Sequence, residues 1–461
     1  MTFYDRADEL AALQGEFEAN QFGFVVVYGR RRVGKTELLK EFCSDRPHVY
    51  HLASQEAEQR QRQKFVEAIA AHCEERVPQI ETWDEAFEYL GEKLATNQFV
   101  FVIDEFPYLV ENNASIPSYL QSVVDQYGPN SQSLLVLCGS SISVMESEVL
   151  GHESPLYGRR TAQIDLQPFD FRTARSAISY ELESSIESYA VTGGTPMYLT
   201  LFDYTQSLED NIRQYVLSNT SVLYNEPEFL LRTELRNPGR YLSILEAIAT
   251  GHTTPKEISG ATGVDSGPLS QYLQTLRRLR FVTREVPVTA SQKKSKRSLY
   301  HVADNFLSFW FRFIEPNRSS IEQAPKLVFE DVIRPSFTHH VARVFERICI
   351  EAVWEGIRTD RFDGRYSQVG RWWYGEEEID IVGLNPNDNR LLLAECKWTT
   401  DPVGTALAEN LLEKAHSVRW RTGDRHQEFA LFSKSGFTDE LHEQFGDEWH
   451  LFGLSELEAI L

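Results

Sequence analysis

The chain has 461 residues, with 68 Asp and Glu against 46 Lys and Arg, giving a net charge of −22. That length exceeds what one core supports and predicts roughly three domains, while apolar and charged fractions of 42% and 25% exclude a disordered or fibrous chain. The acidic balance excludes indiscriminate nucleic-acid binding, because phosphate contacts need positive charge, and leaves only a local basic patch for that task.

Five cysteines, Cys43, Cys73, Cys138, Cys349 and Cys396, show no CxxC spacing, so reduced thiols are expected rather than a disulfide framework or a zinc site. The acidic stretch Met1 to Glu9 lacks a basic region followed by an apolar one, and no apolar run reaches membrane-spanning length. A cytoplasmic protein without a membrane partner is expected.

The apolar run Phe24 to Tyr28 reads as a strand, and Gly29-Arg30-Arg31-Arg32-Val33-Gly34-Lys35-Thr36 follows it and opens a helical pattern. Glycines, a lysine and a hydroxyl at this spacing suit a phosphate-binding loop: backbone N–H groups cradle phosphates, Lys35 reaches the outer ones, and Thr36 holds Mg²⁺. Further strands are expected at His48 to Leu52, Phe99 to Ile103, Leu134 to Cys138 and Ala162 to Leu166, alternating with helices as in an α/β sheet. The Phe99 run ends in Asp104 and Glu105, expected respectively to hold Mg²⁺ with Thr36 and to orient the attacking water. With a strand between the loop and these carboxylates, the order resembles the additional-strand class of P-loop NTPases, to which the AAA+ and STAND ATPases belong. That resemblance implies a γ-phosphate sensor in Gly139-Ser140-Ser141, at Ser140 or Ser141. Arg159, in Tyr157-Gly158-Arg159-Arg160, is either an arginine finger or an ordinary exposed arginine. A finger would act in its own chain or, in a homo-oligomer, on a neighbouring copy.

Residues 1–167 thus read as the ATPase core and 168–237 as a helical subdomain, interrupted by Gly193-Gly194-Thr195-Pro196, which breaks a helix whatever its function. The element also resembles the Gly-x-Pro step of STAND helical subdomains, which implies that Pro196 approaches the nucleotide base. Residues 238–304 show three short helical patterns, the first marked by Leu242, Leu245 and Ile248 and the third by Leu269, Tyr272, Leu273, Leu276 and Leu279. Asp265 or Ser266 is expected to cap the third. Phe281 to Val288 and Ser298 to Val302 then pair across Lys293, Lys294, Lys296 and Arg297. This resembles a winged helix-turn-helix whose basic wing contacts DNA phosphates, or one that serves only as a spacer.

A linker helix is expected over 305–335 and a last domain over 336–461. Phe337, Val341, Val344, Phe345, Ile348 and Ala352 trace one helical face, with Glu346 in the same helix. Glu378-Ile379-Asp380-Ile381-Val382 alternates as a strand, a turn follows at Asn385 to Asn389, and Leu391 to Trp398 forms the partner strand. Period-two geometry puts Glu395 and Lys397 on one face and Cys396 on the other. Asp380 and Glu395 are then candidate ligands of Mg²⁺ or Mn²⁺, with Lys397 beside an attacking water. The constellation resembles the PD-(D/E)xK restriction-endonuclease-like superfamily, with Glu346 matching the additional helix carboxylate of its resolvase-like members. Ile379 stands where that motif has Pro.

Together with Asp5-Arg6 and Glu9-Leu10, these motifs resemble the archaeal-type ATPase family of the STAND and AAA+ group across nearly the whole chain. The resemblance implies a multidomain α/β protein binding ATP and Mg²⁺, with Arg6 near the nucleotide and an endonuclease-like C-terminal domain. The acidic composition fits a haloarchaeal, halophilic source. Two functions follow: an ATPase that gates metal-dependent DNA cleavage, or a non-cleaving ATP-dependent switch that binds DNA or a protein partner.

Overall fold

The computed structural model describes residues 3–235, 237–423 and 425–461. The chain divides into two units, Met1–Pro168 with Thr195–Met197 and Thr233–Arg236, and Phe169–Gly194 with Tyr198–Arg232 and Asn237–Leu461.

The first unit is built on strands β1 (Gly23–Tyr28), β2 (His48–Leu52), β3 (Val100–Asp104), β4 (Leu134–Gly139) and β5 (Ala162–Asp165). All pair in parallel, in the order β2-β3-β4-β1-β5. β1, β3 and β4 are buried along their whole length, which is why their sequences are unbroken apolar runs: helices cover both faces of a parallel sheet. Phe24, Val26, Phe101 and Ile103 enter one core, and Val25, Val27, Val100 and Val102 enter the other with Leu38 and Leu39. Parallel pairing brings the C-terminal ends of β1, β3 and β4 to one edge, where ligands of open α/β sheets bind.

In the second unit, the helix Leu182–Thr192 and the long helix Arg334–Arg358 share a core that includes Ile186, Ala190, Val341, Phe345 and Ile348. Leu182–Thr192 stops at Gly193, whose φ is +63°, and a Cβ on Gly194 would sit 1.8 Å from the Phe169 carbonyl oxygen, so the chain has room only for glycine there. Three helices, Gly239–Ala249, Pro255–Thr262 and Ser266–Arg278, precede the antiparallel pair β6 (Val282–Glu285) and β7 (Leu299–Val302). The middle helix opens on a Thr254–Glu257 capping box and closes on left-handed Gly263. The third makes no such cap: Asp265 occupies the cap position without a side-chain hydrogen bond, and Ser266 is already helical.

The last sheet comprises β8 (Gln368–Tyr374), β9 (Glu377–Asn385), β10 (Arg390–Lys397), β11 (His426–Ser433) and β12 (His450–Phe452), in the order β12-β11-β10-β9-β8. β8, β9 and β10 pair antiparallel, while β10, β11 and β12 pair in parallel. The long helix covers the face bearing Ile381, Leu392, Ala394 and Cys396, and the helix Thr405–Ser417 covers the face bearing Leu391, Leu393 and Leu431. Among the described residues, no helix is long and apolar enough to cross a membrane.

Candidate functional site

The loop between β1 and the helix α2 (Lys35–Cys43) is shaped by two glycines. Gly29 has φ +155°, and a Cβ there would meet the Leu166 carbonyl oxygen at 2.3 Å. Gly34 has φ +94° and stands at the N-cap of α2 without a side-chain capping bond. The first amides of α2 therefore have no side-chain acceptor at the cap, the arrangement that suits an anion. A Cβ on Gly34 would lie 3.8 Å from Pro196 Cγ, which puts Pro196 beside the loop.

Lys35 is buried, and its Nζ donates to the Gly29 and Arg30 carbonyls at 3.0 and 2.9 Å. Burial lowers its pKa, against the pull of Cys138, Glu105 and Asp104. Arg30 is buried, exposed Arg31 donates to the Tyr108 hydroxyl at 3.2 Å, and half-buried Arg32, with φ +71°, points Nη1 at Met197 Sδ, 2.8 Å away. Val33 anchors the loop in the core below it. Arg6 braces the backbone, donating to the Val33 carbonyl at 3.2 Å and the Gln167 carbonyl at 2.7 Å.

The end of β3 meets this loop. Thr36 Oγ1 donates to Asp104 Oδ2 at 2.9 Å, and Tyr50 donates to the same oxygen at 2.5 Å. Asp104 Oδ1 accepts the Glu105 amide at 2.9 Å. Glu105 has a left-handed φ of +54°, a conformation costly for a residue with a Cβ and one that survives only where surroundings impose it. It directs the carboxylate to Ser140 Oγ, 2.9 and 2.8 Å from its two oxygens. Ser141 instead faces Ser143 at 3.2 Å. One hydroxyl, one carboxylate, an ammonium and uncapped helix amides fit a magnesium nucleotide, whose phosphates and waters complete a hard-cation shell.

Arg159 does not join them, which corrects its expected role within its own chain. Its guanidinium forms a fork with Asp125, Nε to Oδ1 at 2.7 Å and Nη2 to Oδ2 at 2.9 Å, and donates to the Pro155 carbonyl at 2.8 Å. Two residues on, the Thr161 amide bonds the Phe24 carbonyl, at the start of β1. Arg159 thus lies at the opposite edge of the sheet, roughly a strand length of 15–20 Å from the loop.

The second constellation also assembles. Asp380 and Glu395 are buried where β9 and β10 run past their last paired residues, Ile381 and Ala394. Glu395 and Lys397 share one face, and Cys396 turns to the core on the other, where its amide donates to Asp380 Oδ2 at 2.9 Å. Glu346 comes from the long helix. Burial, then the charge of Asp380, raises its pKa to about 7, and the same two causes raise that of Glu395. For Lys397 burial is outweighed by Glu395 and Asp380, and its pKa is raised.

Cationic groups of the chain itself surround the expected cation pair Asp380 and Glu395. Glu395 holds Lys414 at 2.7 Å and Lys397 at 3.4 Å, and Arg371 lies 3.8 Å from Glu346. Among the described residues, no group of three or more His, Cys, Asp or Glu side chains is arranged to hold a metal ion. Ammonium groups of the chain itself thus pair with Glu395 and a guanidinium approaches Glu346, while Asp380 accepts the Cys396 amide. Lys414, Arg371 and Tyr50 have no motif to announce them, although strand parity puts Tyr50 and Asp104 on the same face of the sheet.

Residues 3–202 match an ATPase domain predominantly from Archaea, and residues 310–414 match a family described as Archaea bacterial proteins of unknown function. An uncharacterized protein of Methanocaldococcus jannaschii is 34% identical over 403 residues, 86% of this chain and 87% of its own length. An uncharacterized ATP-binding protein of the same organism is 41% identical over 44 residues, 10% of this chain and 75% of its own. Among solved structures, a Walker-type ATPase of Pyrococcus abyssi matches with a TM-score of 0.48 at 20% identity, covering 67% of this chain and 96% of that one. The Aeropyrum pernix ORC2 protein matches with a TM-score of 0.43 at 13% identity, covering 69% and 95%. The chain belongs to the archaeal ATPase family, with a P-loop ATPase domain followed by a segment shared with archaeal and bacterial proteins of unknown function.

Proposed function

We propose that the chain hydrolyses ATP with Mg²⁺ at the β1–β3 edge and that its nucleotide state controls a nucleic-acid-binding C-terminal half. The observation that carries the first part is the Thr36–Asp104 pair at 2.9 Å, with Glu105 beside it on the same sheet edge as the uncapped start of α2. Lys35 and the amides of residues 34–36 hold the phosphates, Thr36 and Asp104 hold the cation, and Pro196 borders the base. A bound Mg²⁺ held there would neutralise charge on the phosphates. Glu105 orients the attacking water once Ser140 releases it, which makes Ser140 the sensor of the phosphate. A finger role for Arg159 requires a neighbouring copy in a homo-oligomer, since within its own chain the guanidinium is held by Asp125.

DNA is the partner that the second unit supports. Lys293, Lys294, Lys296 and Arg297 are exposed on the turn between β6 and β7, and the helix Ser266–Arg278 presents Ser270, Gln271, Gln274, Arg277 and Arg278 to solvent. A recognition helix and a basic wing would be arranged this way in a winged helix-turn-helix. The pairing of Glu395 with two ammonium groups favours a switch that binds without cutting, its last domain an endonuclease-like scaffold with Glu395 internally paired. Metal-dependent cleavage is the second reading, favoured by the approach of Glu346, Asp380, Glu395 and Lys397, and it requires Lys414 to leave Glu395.

The test is to offer linear, single-stranded and branched DNA to the full chain with Mg²⁺ or Mn²⁺, with and without ATP, beside Asp380→Ala. Nucleotide-dependent DNA binding with no cleavage is the expected result. Cleavage that disappears in Asp380→Ala would replace the switch with a nuclease, and absence of DNA binding in every nucleotide state would remove DNA as the partner.

A further inference from the structure

Tyr50 sits on β2, in register with Val102 of the neighbouring β3, while Leu52 is in register with Asp104. Alternate residues of a strand share a face, so Tyr50, Val102 and Asp104 face α2 together, and the tyrosine ring packs against the core that α2 covers. Its length carries the hydroxyl two residues along the sheet, to Asp104 Oδ2 at 2.5 Å. Asp104 is 1% exposed. A carboxylate so removed from water needs donors of fixed direction, since an unsatisfied buried oxygen carries the full desolvation penalty.

The donors are distributed unequally. Oδ1 takes the Glu105 amide, a backbone group that cannot swing away, whereas Oδ2 takes two side-chain hydroxyls, Thr36 and Tyr50. The Thr36 hydroxyl is the one that a phosphate loop commits to its cation. Tyr50 is then the hydroxyl donor that keeps Oδ2 in place, beside the Cys138 thiol that also hydrogen-bonds the carboxylate.

We propose that Tyr50 is a positioning residue for ATP hydrolysis: it fixes the Asp104 carboxylate towards Thr36 and thereby sets how strongly nucleotide binding depends on Mg²⁺. It touches neither nucleotide nor cation and acts through Asp104. Outer donors of this kind typically change metal affinity by about 10–100-fold when removed.

Tyr50→Phe in the full chain keeps the ring and deletes only the hydroxyl. Binding of a fluorescent ATP analogue is measured in EDTA and across a Mg²⁺ titration, with turnover alongside. The expected result is unchanged affinity in EDTA, a roughly 10-fold rise in the Mg²⁺ concentration needed for half-maximal enhancement, and a fall in kcat larger than any change in KM for ATP. An unchanged Mg²⁺ titration and kcat, with only a lower Tm, would make Tyr50 a packing residue and overturn the proposal. A wild-type chain whose nucleotide binding ignores Mg²⁺ would overturn it together with the ATPase assignment of the Thr36–Asp104 pair.

Discussion

Lys35 carries a buried positive charge whose hydrogen-bond acceptors among the described residues are the carbonyls of Gly29 and Arg30. A polyphosphate is a far better partner, since hydrogen bonds between charged groups contribute about 1.5–3 kcal/mol. Lys35→Ala is therefore expected to weaken ATP binding by about 10–150-fold in an equilibrium titration, and an unchanged affinity would dismiss the loop. The loop was legible in the sequence because its chemistry is contiguous: glycines, lysine and threonine fall within eight residues. Asp104 and Glu105 were legible because they end an apolar run. Tyr50, Lys414 and Arg371 were not, because each reaches its carboxylate from another element and no local pattern marks a side chain that acts through tertiary contact. Arg159 shows the converse: a motif position says nothing of which sheet edge the residue occupies, and its fork with Asp125 holds it at the wrong one.

At the scale of elements, β1, β3 and β4 could be read directly because burial on both faces leaves no polar interruption. β8 could not. It is an edge strand of mixed burial with an irregularity between Gly370 and Trp372, so no alternation survives in its sequence. The basic turn between β6 and β7 has a consequence for binding: replacing Lys293, Lys294 and Lys296 by Gln should reduce the slope of log affinity for DNA against log salt by roughly 2–3, about 0.9 for each phosphate that is no longer neutralised. An unchanged slope would place the DNA surface elsewhere.

The long helix also holds a titrating carboxylate, Glu351, which accepts the Phe171 amide at 3.0 Å. Burial, then Asp170, raises its pKa to about 7, opposed by the Phe171 and Arg172 amides and by Arg347. The raised value means that the folded chain holds this proton more tightly than the unfolded chain. Its contribution to stability is full below about pH 4.5 and lost as pH rises through 7. Glu351→Gln is expected to flatten that decline and to raise stability above pH 7 by about 1–3 kcal/mol, as denaturant unfolding at several pH values would read. A variant less stable than wild type at pH 8 would show that the carboxylate is retained there for its hydrogen bonds.

For the whole molecule, a net charge of −22 makes self-repulsion a global term that salt screens. Raising KCl from about 0.1 M, where the Debye length is about 10 Å, to molar concentration should raise Tm; a Tm that falls with added salt would contradict the reading of its acidic surface. The central claim is that the edge shared by β1 and β3 hydrolyses ATP. The most direct measurement is Mg²⁺-dependent ATP turnover by the full chain beside Glu105→Gln, with nucleotide affinity determined for both. Loss of the water-orienting carboxylate should lower kcat by about 10²–10⁴-fold while leaving ATP bound as before. Equal turnover in the two proteins, or a wild type that binds ATP and never hydrolyses it, would contradict the account.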